Sequence, residues 1–204
     1  METRDKILAM AIQVLPRFGV KSVTMDDLAQ RLGMSKKTIY QHFKDKSALV
    51  EAVVEKMLSQ DEDHLEVIKA KSQDAVEEIY LVSLFMREML SSMDASVIFD
   101  LKKYYPSAFD KFECHKEEKF RNSFLANLIT GIEQGYYRQE INTAILAKLK
   151  MFTMEWSFDP DVFPPSEFKM VDVQMELFDH FLYGILSEKG HEKLKIYKNK
   201  YQVT

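Results

Sequence analysis

The stretch from Thr24 to Leu49, TMDDLAQRLGMSKKTIYQHFKDKSAL, holds two short helices and the start of a longer one. Thr24-Met25-Asp26-Asp27 is a capping box with Asp in the usual Glu place, so it opens the first helix. Leu28, Ala29 and Leu32 share a face, and Gly33 ends it. Ser35 caps the second helix, which contains Ile39 and Tyr40. Asp45 caps the next, where Leu49, Val53, Met57, Leu65 and Ile68 keep one apolar stripe to about Lys69. A tight turn at Gly33-Met34, the small Ala29 at a close packing position and the polar, basic start Ser35-Lys36-Lys37-Thr38 together give the layout of a helix–turn–helix. Lys36, Lys37, Thr38 and Gln41 fall on faces the core does not need. The start of that helix offers unpaired N–H groups and a positive dipole end, which favour phosphate. Ile39 and Phe43 read as core. Tyr40 reads either as a surface contact or as a half-buried structural tyrosine, and Lys36 and Lys37 either as contacts or as a solvated pair.

Helical period continues on both sides. Upstream, Ile7, Leu8, Ala11, Leu15 and Phe18 recur at steps of three and four before a stop at Gly19. Pro16 predicts a kink or a loosened last turn there, since it removes one hydrogen bond and crowds the preceding turn. Downstream, residues 74–92 are apolar on nearly all sides and predict a central helix. Further helices are expected from Asp94 to Pro106, from Ser107 to about Gly135, from Asn142 to Phe158, and from Ser166 to about Ser187 with Gly190 beyond. The reading is all-α, with about nine helices and no repeat, low-complexity tract or strand.

Composition agrees. The 204 residues contain only 6 Gly and 5 Pro, too little turn material for a sandwich or barrel that turns every 8–12 residues or so. Apolar residues at 46% and charged residues at 29% are an ordinary globular balance. A single cysteine, Cys114, allows neither an internal disulfide nor a cysteine-based zinc site, and points to a reducing cytoplasm. Ile7 to Leu15 lacks the basic flank and cleavage site of a signal peptide. No apolar run is long enough to span a membrane. Charge is uneven: residues 1–50 carry nine Lys and Arg against five Asp and Glu, whereas the whole chain has a net charge of −4. A basic head on an acidic body suggests a nucleic-acid contact in the first quarter, though a block of this size also arises by chance.

The run from Thr24 to Leu49 resembles the DNA-binding segment of the TetR family of bacterial transcriptional regulators. The agreement takes in Phe18-Gly19, Thr24, Leu28-Ala29, Leu32-Gly33, Ser35, Thr38, Ile39-Tyr40, His42-Phe43, Lys46 and Leu49. Gly131–Arg138 (GIEQGYYR) resembles the family's usual end of helix seven, and Tyr105-Pro106 its end of helix six. Pro16 departs from the common pattern. The resemblance implies nine helices, a homodimer, a three-helix DNA-binding domain over residues 1–47, and a ligand-binding and dimerisation domain over residues 48–204. It places Thr24 and Lys46 on phosphate, Lys36 and Lys37 at base edges with Gln41 nearby, and Thr38, Tyr40 and His42 on the DNA backbone. Ser35, the cap of the recognition helix, belongs to the same set. The chemistry is suitable: Lys donates to guanine, Gln pairs with adenine, and phenol or imidazole suits phosphate oxygens.

In the last expected helix Phe168, Val171, Met175, Phe178, Leu182 and Ile185 are spaced 3, 4, 3, 4, 3, a heptad seam. Val173, Leu177, Phe181 and Gly184 form a second face. One face packs on the chain's own core, and the other needs a partner or a doubly buried place in a monomer. In the family the partner is a second subunit, which would let two recognition helices read a palindromic operator. The 12 Met and 12% aromatic content suggest an adaptable interior. Phe85, Met86, Met89, Phe124, Leu128, Met154 and Trp156 lie on helices that line the family's cavity, with core packing as the alternative. Arg87, Glu88 and Glu155 are charges that could orient a ligand. The expected effector is small and apolar or amphipathic, and the expected polarity is repression relieved by ligand.

Enzyme signatures are missing from the sequence: no G-x-S-x-G, H-E-x-x-H or Gly-rich phosphate loop occurs. Cys114 and His115 are neighbours that diverge on a helix, Asp61–His64 reads as a solvated acidic face, and Glu176 with His180 would need further ligands to hold a metal. Neither a cofactor nor a metal is expected. The rival function is a DNA-binding dimer without an effector, acting through protein partners or on nucleoid organisation.

Overall fold

The computed structural model describes residues 2–201; residue 1 and residues 202–204, the outermost positions of the two expected domains, lie outside the described residues. Every long element is a helix: α1 (Thr3–Phe18), α2 (Met25–Leu32), α3 (Lys36–His42), α4 (Lys46–Lys71), α5 (Ala75–Ser91), α6 (Val97–Tyr104), α7 (Pro106–His115), α8 (Arg121–Glu133), α9 (Thr143–Trp156), α10 (Met170–Ile185) and α11 (Glu188–Lys200). A π-helical turn, Lys116–Phe120, links α7 to α8, so these two form one run of helical backbone. Counted that way, the described residues hold ten helices, one more than expected. The only extended pairing among the described residues is the isolated bridge between Tyr137 and Leu186.

The extra helix is α11. The sequence ends its last helix at about Ser187 with Gly190 beyond, but Ser187 caps a new helix by accepting from the Gly190 N–H at 3.2 Å. Glycine is needed there because a Cβ would lie 2.0 Å from the Tyr136 carbonyl oxygen. Leu194 and Tyr197, three apart, then bury against the core of the second unit. The last long helix starts at Met170 rather than Ser166. Pro16 is accommodated within α1, which continues to Phe18. Its carbonyl, one that an α-helix leaves unpaired at its end, accepts from the Asp94 N–H at 2.7 Å.

The chain divides into two compact units. The first holds the residues up to Glu62 together with Ser92–His115, and so extends past residue 47; the second holds Asp63–Ser91 and the residues from Lys116 onward. The first unit buries Ile7, Ala11 and Leu15 of α1, Leu28 and Ala29 of α2, Ile39 of α3, and Leu49, Val50 and Val53 of α4. The second is built on Val76 and Ile79 of α5, Leu128 of α8, Phe178, Leu182 and Ile185 of α10, and Tyr137, Leu194 and Tyr197. No helix among the described residues is long and apolar enough to cross a membrane.

Candidate nucleic-acid interface

The expected capping box is formed. The Asp27 N–H donates to Thr24 Oγ1 at 3.1 Å, and the Thr24 N–H and hydroxyl donate to Asp27 Oδ2 at 2.8 and 2.7 Å. Those bonds from Thr24 hold the Asp27 carboxyl below its usual range. Gly33 takes a left-handed conformation, φ 62° and ψ 29°, which lets the Met34 N–H reach back to the Ala29 carbonyl at 2.9 Å. The chain reverses within two residues, and Ser35 starts α3 by accepting from the Thr38 N–H at 3.1 Å.

Ile39 and Phe43 anchor α3 in the core, as their spacing predicts. The opposite side is open. Ser35, Lys36, Lys37, Gln41 and His42 are exposed, and Tyr40 is 48% exposed. Tyr40 is therefore no interior tyrosine. Thr38 is half-buried, with its hydroxyl bonded to Ser35 Oγ at 2.8 Å. Lys36 makes an ion pair with Asp26 of α2; both side chains are exposed, so the pair is weak and readily exchanged. Thr24 is exposed beside the start of α2.

Lys46 sits differently from the rest. It is only partly exposed, and its ammonium donates to the Lys21 carbonyl at 3.0 Å and lies 5.7 Å from the Tyr105 ring centroid. Burial pushes its pKa down, against the pull of Asp100 and Asp27. Lys21 in turn ties the α1–α2 loop to α6: its N–H donates to Asp100 Oδ2 at 2.9 Å and its ammonium to Tyr104 Oη at 3.0 Å. That hydrogen bond raises the Lys21 pKa and lowers that of Tyr104. Sequence reasoning missed this lock, because nothing in the spacing of Lys21, Asp100 and Tyr104 links residues some eighty positions apart.

In the second unit the expected ligand-lining set separates. Phe85, Met86, Met89, Phe124 and Met154 are half-buried. Phe85 lies tilted against His64 at 5.3 Å and Phe124 against Phe181 at 5.4 Å between ring centroids. Leu128 belongs instead to the closed core. Trp156 is 53% exposed and sits 6.3 Å from Phe152 on the outer side of α9, so it does not line the interior. Arg87 and Glu88 are exposed, and Glu155 pairs with the buried Lys116 at 3.5 Å.

The expected dimer seam also separates. Phe178, Leu182 and Ile185 are buried in the chain's own core, and a side chain already enclosed has no surface to give a partner. Val171 and Met175 are half-buried, and Phe168 lies exposed ahead of α10. The chain's own core thus encloses three of the six residues of the heptad seam. The apolar stripe left open is on α9: Ile145, Leu149, Phe152 and Trp156, at steps of four, three and four, are all exposed. Glu176 and His180 of α10 are exposed, and among the described residues no three His, Cys, Asp or Glu side chains are grouped as a metal site.

The sequence pattern of bacterial regulatory proteins of the tetR family matches residues 7–53, the segment that forms α1 to α3 and the start of α4. The HTH-type transcriptional regulator YvaF of Bacillus subtilis is 23% identical over 185 residues, covering 90% of this chain and 96% of its own. The class C tetracycline repressor protein of Escherichia coli is 36% identical over 61 residues, covering 30% of this chain and 28% of its own. A TetR-family transcriptional regulator of Agrobacterium tumefaciens shares the fold at a TM-score of 0.72 and 18% identity, over 90% of this chain and 97% of its own. Residues 7–53 of the chain are thus a helix–turn–helix segment of the TetR family of bacterial regulatory proteins.

Proposed function

We propose that the protein binds a palindromic DNA operator as a homodimer, laying α3 in the major groove, and that a small apolar or amphipathic effector controls it, with repression as the ground state. The observation that carries this reading is the two-sided character of α3. Ile39 and Phe43 fix the helix to the domain while Lys36, Lys37, Tyr40, Gln41 and His42 remain open to solvent. A rigid base with a polar, cationic outer face is what base-edge and phosphate contacts need. Thr24 and Ser35 are exposed at the starts of α2 and α3, and N–H groups at a helix start favour phosphate. Lys46 uses one donor on Lys21 and keeps two for a phosphate oxygen.

The dimer rests on the α9 stripe. A contiguous apolar row from Ile145 to Trp156, 64% and 53% exposed at its ends, is costly to leave in water. A second copy covers it by symmetry, and two recognition helices then read two half-sites at a fixed separation. The effector reading rests on the half-buried Phe85, Met86, Met89, Phe124 and Met154 of the second unit, adaptable side chains of the kind that accommodate apolar ligands. Such a ligand controls DNA binding only if it favours one conformation over another, and DNA must weaken its binding by the same factor.

Selection of bound fragments from a random DNA pool tests the core claim. A symmetric consensus is expected from the wild type and an altered one from Lys37→Ala; an unselective pool at low salt overturns the proposal. On the selected site, Lys46→Ala should lower the log–log salt slope by about one while leaving the consensus in place. An unchanged slope removes Lys46 from the phosphate contacts.

A further inference from the structure

Among the described residues Lys150 has no counter-ion. It lies on α9 with 4% of its surface exposed. Its ammonium meets no hydrogen-bond acceptor, and the group it faces is the Phe178 ring of α10, 4.7 Å from Nζ to centroid. Burial pushes its pKa down to about 8, so most of the population is still cationic at neutral pH.

A second unsatisfied group lies in the same seam. Gln174 of α10 is fully buried. Its Nε2 donates to the Met154 carbonyl at 3.3 Å and to Ser157 Oγ. Because a carbonyl can only accept, those contacts fix which way the amide points. Gln174 Oε1 is left without a donor. Gln174 and Phe178 are four residues apart on α10, and Lys150 and Met154 are four apart on α9. The contacts Lys150–Phe178 and Met154–Gln174 therefore mark adjacent turns of one α9–α10 seam. Three idle donors and one idle acceptor occupy neighbouring buried turns.

The other buried charges of this unit have partners. Glu77 meets Lys200, Asp74 meets Lys193, and Lys116 meets Glu155. An isolated buried ammonium is expensive, and the chemistry that relieves it is an anion. A cationic ligand would meet like charge.

We propose that the α9–α10 seam holds the polar head of the effector, and that this head is a carboxylate which accepts from Lys150 Nζ while a hydroxyl or amide N–H on the same ligand donates to Gln174 Oε1. The apolar remainder of the ligand then lies against the aromatic and methionine side chains nearby. This rests on the effector reading above and narrows it to one chemical class, apolar acids.

Titration calorimetry on the full-length protein tests the assignment with four probes: dodecanoate, 2-hydroxydodecanoate, methyl dodecanoate and dodecyltrimethylammonium. Wild type should bind the two acids on the order of ten- to a hundredfold more tightly than the ester, the hydroxy acid tightest, and the ammonium compound weakest. Lys150→Met should lose the preference for acid over ester, and Gln174→Leu the preference for the hydroxy acid. Circular dichroism and thermal melting establish that each variant is folded. Should Lys150→Met not fold, the wild-type Lys150 Nζ resonance in protein labelled with 15N-lysine gives the same answer, since dodecanoate must shift it and the ester must not. If ester or ammonium binds as well as acid, or if acid preference survives Lys150→Met, the carboxylate assignment is wrong while an effector of another class stands. If no probe binds, the assignment is equally wrong, and the effector reading loses its support from this seam.

Discussion

Glu77 and Lys150 are both buried charges of the second unit, and the fold treats them in opposite ways. Glu77 sits at the start of α5 with its carboxylate saturated. Oε1 accepts from Lys200 Nζ at 2.8 Å and Tyr201 Oη at 2.7 Å, and Oε2 accepts from the Gln73 N–H at 2.7 Å. Burial would raise its pKa, but those bonds, that from Lys200 foremost, outweigh burial and hold it below the usual range. Next to it, Asp74 accepts from Tyr197 Oη at 2.7 Å and Lys193 Nζ at 3.2 Å. This end of the unit is a fastening: α11 is bound to α5 by charge-assisted hydrogen bonds. Among the described residues Lys150 meets only an aromatic face. A saturated buried charge reads as structure, and an unsaturated one as a site kept ready for something else.

The comparison predicts opposite signs for the two deletions. Lys150→Met should stabilise the ligand-free protein. A lysine held at about 8 against 10.5 unfolded carries a penalty on the order of 3 kcal/mol, and methionine fills similar space without it. Denaturant unfolding near neutral pH should show a higher midpoint with an unchanged slope. A lower midpoint would mean that Lys150 has a partner which stabilises it, and the contrast would collapse. Glu77→Ala should destabilise by about 2 kcal/mol, less than for a fully enclosed pair because the Lys200 side chain is 45% exposed. The melting temperature should fall by several degrees. No change would mean that α11 is held by apolar contacts alone.

Much of this was legible in the sequence, and what was not has a common cause. Local signals held at Thr24, Gly33 and Ser35, because caps and turns are decided by the residues that form them. The fold class followed from periodicity. Misplacements arose where tertiary context chose between equals. Phe178, Leu182 and Ile185 make a seam that could face inward or outward, and it faces inward. Trp156 shares α9 with interior residues yet belongs to the outer stripe. Gly190 looks like a stop until the Tyr136 carbonyl is placed against it. Lys150 could have been suspected, since Ala147, Lys150, Met151 and Met154 recur at inward-facing steps; its isolation could not, because that depends on which groups α10 brings opposite.

The smallest predicted effect is the most specific. Burial lowers the Lys150 pKa below its unfolded value, so above about 8 the folded state sheds a proton that the unfolded chain retains. The unfolded state then binds more protons, and unfolding free energy rises with pH because of this residue. Glu77 moves stability in the same direction at the acid end: its lowered pKa stabilises the fold above the ordinary carboxylate range, and that contribution fades as pH falls through the folded value. Other groups titrate near pH 8 as well, so the quantity to measure is the difference between wild type and Lys150→Met. That difference should narrow by about 1 kcal/mol between about pH 7 and about pH 8.5 as the buried ammonium discharges. A difference that stays constant means that the ammonium keeps its proton throughout this range and carries no uncompensated charge. Repeating the pair of unfolding curves with dodecanoate should remove the narrowing in the wild type, because a bound carboxylate restores the proton that burial alone would give up.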